Sequence, residues 1–343
     1  MDAICKEIDL QKNYLEDKDV QSIYFGGGTP SLLNSDEWEA IFEKIADHFD
    51  IARHAEITME ANPDDLTPSK LRQLQSSPFN RLSIGIQSFD EEDLRFMNRS
   101  HNALQAVECI ERSRDAGFEN LTIDLIYGLP GHTEEHWEGQ LEQALSFNLP
   151  HISAYALTVE KETVLENWIL KGKVQPLDEV LAERNYYFLD KILSRAGYQH
   201  YEVSSFAKPG HRALHNSSYW DGVPYLGLGP SAHSFNGDSR QWNVANNHLY
   251  LKAVQDGEVP CEKENLSVAD QFNEAVMTGL RRAEGININL VDKRFGAEFS
   301  EHLMEEARPM LKDGRLEERD RHLYIPAHQR FFSDGIASSL FYI

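Results

Sequence analysis

Residues 20–49 read VQSIYFGGGTPSLLNSDEWEAIFEKIADHF, and this stretch decides the fold. It opens on a β-rich run, VQSIYF (residues 20–25), and then turns at GGGTPS, where glycines let the backbone come close to a ligand. The residues that follow place apolar side chains at helical spacing, with Ser35 positioned to cap the first turn. A strand, a glycine turn and a helix in this order are typical of a βα unit.

Strands and helices then alternate along the first half of the chain. The further β-rich runs are AEITMEA, RLSIGIQS, NLTIDLIYG and HISAYALT, at residues 55–61, 81–88, 120–128 and 151–158. Helical patterns separate them, such as NALQAVECIERSRDAG, which Asn102 can cap. Repeated strand and helix units form a parallel sheet, and right-handed crossovers curl it towards a barrel. We therefore predict an α/β fold with a partial (βα) TIM-like barrel over residues 1–200.

Two further regions follow the predicted barrel. Residues 201–262 are rich in glycine, proline and aromatic residues and read as a connecting segment of loops and short strands. Residues 263–343 show helical patterns and a terminal hairpin, which predicts a small, mostly helical C-terminal domain with a winged-helix look. The acidity of this domain argues against a DNA-reading role.

Charge and hydropathy narrow the choice of partners. The 343 residues carry a formal net charge of −23, which repels phosphate backbones, so we expect no nucleic-acid partner. No apolar run reaches the ~20 residues that span a bilayer, and the opening MDAICKEIDLQKNYLEDK is unlike a signal peptide. We expect a cytoplasmic protein without a transmembrane segment, and peripheral membrane association stays open.

The chain contains three cysteines, Cys5, Cys109 and Cys261. Their odd number and wide separation argue against a disulfide framework and against a metal site built from a local cysteine motif. We expect three reduced thiols in the core, because free cysteine is commonly buried.

Polar residues or glycines stand at or just after the ends of the first strands. In parallel sheets, ligands bind at the edge formed by these strand ends. After GGGTPS the polar residues are Glu60 in MEANPDD, Gln87 in SIGIQSF, Arg99 in FMNRSH and Asp124 in TIDLIYGLPG. Each alone fits a structural role, such as a tight turn or a helix cap, as well as a ligand contact. Together they predict a ligand site, although GGGTPS lacks the spacing of a dinucleotide fingerprint.

GGGTPS, EANPDD, GIQSF, the Arg99 segment and DLIYGLPG, in this order and at these spacings, resemble the S-adenosyl-L-methionine (SAM) pocket of radical SAM proteins. The similarity is to the group that contains the HemW heme chaperones and the oxygen-independent coproporphyrinogen III oxidases, and it runs from about Asp2 to the C-terminus. The resemblance implies SAM as a cofactor, with the methionine and its amino group lined by Gly27, Gly28 and Thr29. It also implies contacts to the methionine carboxylate and the nucleoside from Glu60, Gln87, Arg99 and Asp124.

The same resemblance implies a 4Fe-4S iron–sulfur cluster held by a Cys-x-x-x-Cys-x-x-Cys triad on the loop after the first strand of the family fold. No such triad occurs in this sequence, which opens at Met1 on what would be the first helix. We therefore expect a barrel that misses its first strand, no cluster ligands in this chain and no radical generation by it. No catalytic residue is assigned, and whether the chain is an enzyme stays open.

HNSSYW, beginning at His215, resembles the His-Asn-x-x-Tyr signature of the heme-chaperone branch, in which the histidine is a proposed heme contact. The resemblance implies that His215 binds heme, and the rings of Tyr219 and Trp220 would suit a porphyrin face. The alternative is a loop histidine that hydrogen-bonds the backbone. A second histidine nearby, His233 in GLGPSAHSF, is expected to be structural.

Two functions follow from the resemblance. The first is a heme chaperone that binds heme and SAM and transfers heme to acceptor apoproteins. The alternative is an oxygen-independent coproporphyrinogen III dehydrogenase, which converts its substrate to protoporphyrinogen IX in porphyrin biosynthesis by oxidative decarboxylation. A third possibility is a barrel without ligand function, which would bind neither heme nor SAM.

Overall fold

The computed structural model describes all residues of the chain, 1–343. The chain divides into two compact units. The first unit contains Met1–Ile23, Leu33–Glu56 and Leu214–Ile343, and the second contains Tyr24–Leu32 and Ile57–Ala213. None of the helices combines the length and the apolar character needed to span a bilayer.

Seven strands form the principal sheet. They are β1 (Asp19–Phe25), β2 (Asp50–Ala61), β3 (Arg81–Gln87), β4 (Leu121–Tyr127), β5 (His151–Ala156), β6 (Gln199–Glu202) and β7 (Ser205–Ala207). Their order in the sheet is β1-β2-β3-β4-β5-β7-β6. The pairs β2/β3, β3/β4 and β4/β5 are parallel, whereas β7 is antiparallel to β5 and to β6. The sheet curls into a half-barrel, which confirms the predicted fold class, and all five predicted strands are present.

Helices separate the strands as the apolar spacing predicts. They are α1 (Asp2–Gln11), α2 (Ser35–Ala46), α3 (Pro68–Gln75), α4 (Glu91–Phe96), α5 (Ala103–Asp115), α6 (Glu134–Ser146), α7 (Val164–Leu170) and α8 (Glu179–Arg195). Asn102 caps α5 as predicted, within a capping box that Gln105 completes. The cap of α2 is Asn34 and not Ser35, because Asn34 accepts from Glu37 N while Ser35 already lies in the helix.

The core of the second unit lies between its strands and its helices. Ile84 on β3, Ile123 on β4 and Ile152 on β5 are completely buried, as are Ile110 on α5 and Leu141 on α6. Parallel strands covered by helices bury both faces, so their sequences are almost continuously apolar. The polar side chains on these strands are therefore exceptions that need partners.

Residues 214–265 belong to the first unit and hold more helix than predicted. The elements are α9 (Leu214–Trp220), β8 (His233–Phe235), β9 (Ser239–Asn243), α10 (Asn247–Asp256) and β10 (Cys261–Asn265). The three strands form an antiparallel sheet in the order β10-β9-β8. The prediction of loops and short strands here missed α10, which Asn246 caps and Gly257 ends in the left-handed conformation.

The C-terminal region is helical with a small sheet, as predicted. Its elements are α11 (Val268–Arg281), β11 (Ile286–Asn287), α12 (Ile288–Phe295), α13 (Ala297–Asp313), β12 (Glu317–Arg319), β13 (His322–Tyr324) and α14 (Ser333–Ser338). Strands β12 and β13 form the expected terminal hairpin, and β11 joins them in the order β11-β13-β12. A separate apolar core, which includes Phe272, Leu303 and Leu323, holds these elements together.

Candidate functional site

A polar cavity of about 230 Å³ lies at the carboxyl ends of the parallel strands. The residues that line it are Gly28, Thr29, Pro30, Ser31, Glu60, Ala61, Asn62, Ser83, Gly85, Gln87, Arg99 and Asp124. The structure thus brings six of the seven residues predicted for SAM to one cavity. Gly27 is the seventh, and its backbone N–H donates to Glu60 Oε2 at 3.1 Å.

Glu60, near the end of β2, holds the glycine turn in place. Its Oε1 accepts from the Tyr24 hydroxyl at 2.6 Å, while Oε2 accepts from Gly27 N. Burial and then the Glu60 charge raise the pKa of Tyr24, so this hydroxyl remains a donor. A Cβ on Gly26 would lie 2.5 Å from the Tyr24 ring, and Gly27 has a φ of +73°. The first two glycines are therefore required by packing and by backbone conformation.

Asp124, in the middle of β4, is the second carboxylate of the cavity. Burial and then the charge of Glu60 raise the pKa of Asp124 to about 6, although the guanidinium of Arg81 opposes this. Ser83 Oγ donates weakly to Asp124 Oδ2 at 3.4 Å. Two neighbouring carboxylates in a partly buried cavity favour a positively charged ligand, because a cation would offset their repulsion.

Arg99 and Gln87 supply the other polar groups. The Arg99 guanidinium donates to Asn62 Oδ1 at 2.9 Å, and Gln87 ends β3 with a φ of +65°. A Cβ on Gly85 would lie 2.9 Å from the Gln87 amide and 3.3 Å from the Arg99 guanidinium, so glycine leaves room for both side chains. An arginine beside two carboxylates makes the cavity suited to a zwitterion that carries both an ammonium and a carboxylate.

Some residues that line the cavity, or that hold its lining residues in place, were missed from the sequence. Tyr24 and Asn62 gave no distinct signal, because their roles are to support Glu60 and Arg99. Ser83 and Gly85 could have been found, since they alternate with Gln87 along β3 and therefore share one face of the strand.

His215 lies in the first turn of α9 and not in a loop, so the loop prediction for HNSSYW was wrong. The reason is a distant carboxylate: Glu56 accepts from Leu214 N and from His215 N, both at 2.9 Å, and so binds the start of the helix. In the ring of His215, Nδ1 lies 2.9 Å from Ser22 Oγ and Nε2 lies 3.1 Å from the Tyr219 hydroxyl.

A larger cleft of about 610 Å³ opens in the first unit beside the end of α9. Its aromatic lining includes Tyr219, Trp220, Tyr225, Phe235 and Phe295, and its charged or polar lining includes Arg240, Glu274, Arg282, Arg294 and His322. The indole Nε1 of Trp220 is buried without a hydrogen-bond partner. His215 and His233 do not line the cleft, and the ring of His233 stacks on Trp242.

Comparison with known proteins decides the family. The radical SAM superfamily profile matches residues 6–144, and the HemN C-terminal domain profile matches residues 266–332. The heme chaperone HemW of Lactococcus lactis is 36% identical over 321 residues, which cover 92% of this chain and 83% of that protein. The chain belongs to the HemW family.

A second HemW relative agrees with this assignment, and one solved structure shares the fold. The heme chaperone HemW of Mycobacterium tuberculosis is 32% identical over 340 residues, covering 98% of this chain and 85% of that protein. Coproporphyrinogen III oxidase (HemN) from Escherichia coli, a radical SAM enzyme, superposes with a TM-score of 0.84 at 22% identity, covering 99% of this chain and 82% of that one. The likeness to HemN establishes that the two chains share a fold.

Membership of a radical SAM family implies a 4Fe-4S cluster, but the cysteines of this HemW-family chain do not fit one. Several cluster ligands must lie close together, whereas the group of side chains close enough to share a metal ion contains no cysteine. Burial also raises the pKa of the Cys109 thiol to about 12. Cys109 is completely buried within α5, where its Sγ donates to Ala106 O. No step that needs a cluster is therefore assigned to these residues.

Proposed function

We propose that this HemW-family chain is a heme chaperone that binds heme in the cleft beside α9 and passes it to acceptor proteins in the cytoplasm. The observation that carries the proposal is the cleft itself: it has the volume of a small-molecule site, and the aromatic end of HNSSYW forms part of its wall. The names of the similar HemW proteins support the same ligand.

The chemistry of the cleft suits an amphipathic, dianionic ring. Tyr219, Trp220 and Phe235 offer ring faces and edges for apolar contact. Arginines that line the cleft would receive the two propionates, so the local charge is more favourable than the net charge of −23 suggests. Arg282 already pairs with Asp221, and Arg240 pairs with Glu274 at 2.9 Å, so propionates would compete with these carboxylates.

We propose His215 as the iron ligand. Its Nε2 lies 3.1 Å from the Tyr219 hydroxyl, and Tyr219 itself lines the cleft. Heme that displaces this hydroxyl would free the imidazole for iron. His322 is the competing ligand, because it lines the cleft directly with Nε2 at 3.2 Å from the Asn287 amide.

Hemin titration followed by absorbance tests both the ligand and the function. His215→Ala should shift or abolish the Soret band and weaken binding, while the circular dichroism spectrum stays unchanged. His233→Ala is the matched control, since the ring of this histidine stacks on Trp242, whereas His215 contacts the cleft residue Tyr219. A parent chain that binds no heme, or that cannot pass heme to apomyoglobin as a generic acceptor, would overturn the chaperone proposal. If only His322→Ala alters the spectrum, the ligand is His322.

The coproporphyrinogen dehydrogenase alternative rests on a shared fold with HemN. It predicts consumption of coproporphyrinogen III, whereas a heme chaperone should leave this compound unchanged under reducing, anaerobic conditions. Porphyrinogen turnover by the chain would therefore favour the enzyme.

We also propose that the half-barrel cavity binds SAM. In this proposal Gly27, Gly28 and Thr29 contact the methionine end, and Arg99 pairs with its carboxylate. Glu60, Gln87 and Asp124 then serve the ammonium and the nucleoside. The arginine and the two carboxylates that meet in one cavity support this division, since SAM carries charges of both signs.

Calorimetry with SAM tests this second site. Arg99→Ala and Asp124→Ala should each weaken binding by about 1.5–3 kcal/mol, the usual worth of a charge-assisted hydrogen bond. Arg72→Ala on the exposed side of α3 is the matched control and should bind like the parent. Equal affinities in all four chains would contradict the assignment.

A further inference from the structure

Three side chains outside the two sites described above converge in the second unit. Asp93 lies in α4, His132 lies in the loop between β4 and α6, and His136 lies in the first turn of α6. His132 Nε2 is 2.6 Å from Asp93 Oδ1, and His136 Nε2 is 3.0 Å from Asp93 Oδ2. One ligand atom from each residue lies within 4.8 Å of the other two.

The carboxylate at the centre of this cluster is held rigidly. Asp93 is only 6% exposed, and Ser88 Oγ donates to its Oδ2 at 2.7 Å. Ser88 is itself fixed, because its Oγ accepts from Asp90 N at 3.0 Å. Hydrogen bonds of this kind orient the ligands of metal sites in proteins and reduce the cost of assembling them.

The two imidazoles are arranged as a pair. Their spacing in the sequence is i, i+4, and their ring centroids are 4.1 Å apart. Both turn Nε2 towards the same carboxylate, and their side chains are partly exposed, at 12% and 27%, so an ion from solvent can reach them. Because both ring nitrogens and the carboxylate face one point, a divalent cation placed there would bind two imidazoles and one carboxylate.

We propose that Asp93, His132 and His136 bind one divalent cation of the zinc class. The donor set of two imidazole nitrogens and one carboxylate oxygen is a set that Zn²⁺ and neighbouring first-row metals prefer over Mg²⁺ or Ca²⁺. The three atoms need only side-chain rearrangement to reach about 2.0–2.2 Å from a shared ion. Three protein ligands leave a further position for water.

A metal ion at this location would affect the structure around the half-barrel cavity. Helix α4 follows β3, which ends at Gln87, and His132 follows β4, which carries Asp124. An ion at this point would tie together the segments that follow two strands of the half-barrel cavity. The site does not depend on either function proposed above, since none of its three ligands lines the cavity or the cleft.

The experiment is metal titration of the full chain after removal of bound metal with a chelator. Equilibrium dialysis against Zn²⁺ should give one tightly bound ion per chain, and His132→Gln, His136→Gln or Asp93→Asn should each lower the affinity at least tenfold. His132→Gln keeps a hydrogen-bond donor towards Asp93, so it should preserve the fold. The matched control is His48→Gln, which removes a histidine paired at 2.6 Å with a single aspartate, Asp9.

X-ray absorption of the parent chain loaded with Co²⁺ gives a readout without any variant. A first shell of nitrogen and oxygen with imidazole scattering supports the site, whereas a sulfur shell would place the metal on cysteine and overturn it. The proposal also fails if the parent binds no ion, or if the three cluster variants bind Zn²⁺ as the parent does. In that case the three residues form two hydrogen-bonded pairs only.

Discussion

At the residue scale, the half-barrel cavity places Asp124 beside Glu60 in partly buried surroundings. The pKa of Asp124 is about 6 in the folded chain, above its value of about 3.9 in an unfolded one. The folded chain therefore binds more protons between these two values, and its stability falls as pH rises through this window. Above pH 6 the side chain is ionised in both states, and the loss in the free energy of unfolding has reached its full size. Asp124 therefore destabilises the folded chain at neutral pH.

Replacing Asp124 with Asn should remove that destabilisation. We expect the free energy of unfolding to rise by up to about 3 kcal/mol above pH 6, and the gain should vanish as pH falls towards 4. Urea denaturation across this pH range measures the effect. Asp238→Asn, at an exposed aspartate, is the control and should show no such dependence. A variant less stable than the parent at pH 8 would contradict the raised pKa.

Glu7 is a second buried carboxylate, in α1 of the first unit, and its surroundings are quite different. It is completely buried, and neutral groups donate to both of its oxygens: Gly229 N, the Tyr250 hydroxyl and the amides of Gln11 and Asn243. Because these donors are also buried, they depend on Glu7 for their hydrogen bonds.

Glu7→Ala should therefore destabilise the chain by about 3 kcal/mol or more, since several buried donors lose their acceptor at once. Chemical denaturation at neutral pH measures the loss. Glu16→Ala, at an exposed position, should change stability by less than about 0.5 kcal/mol. Similar stabilities for the two variants would show that the carboxylate is replaceable by water.

At the scale of elements, α9 shows that a short helix can depend on a residue far away in the chain. Glu56 on β2 binds its first amides although it precedes His215 by 159 residues. Another such case is the turn between α11 and β11, where Gly285 has a φ of +72° and its Cβ position lies 2.2 Å from Leu323 O on β13. Both the conformation and the close contact require glycine there.

Gly285→Ala should lower the free energy of unfolding by more than the strained backbone conformation alone would, because the added Cβ would also clash with the backbone of β13. We expect a loss of about 2–4 kcal/mol, with the C-terminal core loosened first. The matched control is Gly314→Ala, which has a φ of +82° but open space around its Cβ position, and it should cost about 1 kcal/mol. Thermal unfolding of both variants measures the difference, and equal losses would mean that the contact with Leu323 O relaxes freely.

At the scale of the whole molecule, the net charge of −23 dominates the electrostatics. The acidic side chains outnumber the basic ones by 56 to 33, so the charge of 23 carboxylates is not balanced by a lysine or arginine elsewhere in the chain. Self-repulsion of this kind destabilises the compact state, and dissolved salt screens it.

The melting temperature should therefore rise with salt. Raising NaCl from about 0.01 M to about 0.15 M shortens the Debye length from about 30 Å to about 8 Å, which removes most of the repulsion between distant surface charges. Differential scanning calorimetry should show a rise of several degrees, and KCl should act like NaCl because screening is not specific to the ion. A melting temperature that falls over this range would mean that attractive ion pairs outweigh the repulsion.

Sequence alone determined the half-barrel, its five leading strands and the meeting of Glu60, Gln87, Arg99 and Asp124 in one cavity. Apolar periodicity and caps such as Asn102 act over a few residues, and parallel strands bring their carboxyl ends to one edge whatever their spacing in the chain. Only the tertiary structure decided the capping of α9 by Glu56 and the convergence of His132 and His136 on Asp93. These contacts join side chains that no local periodicity relates, so they exist only once packing has placed their elements together.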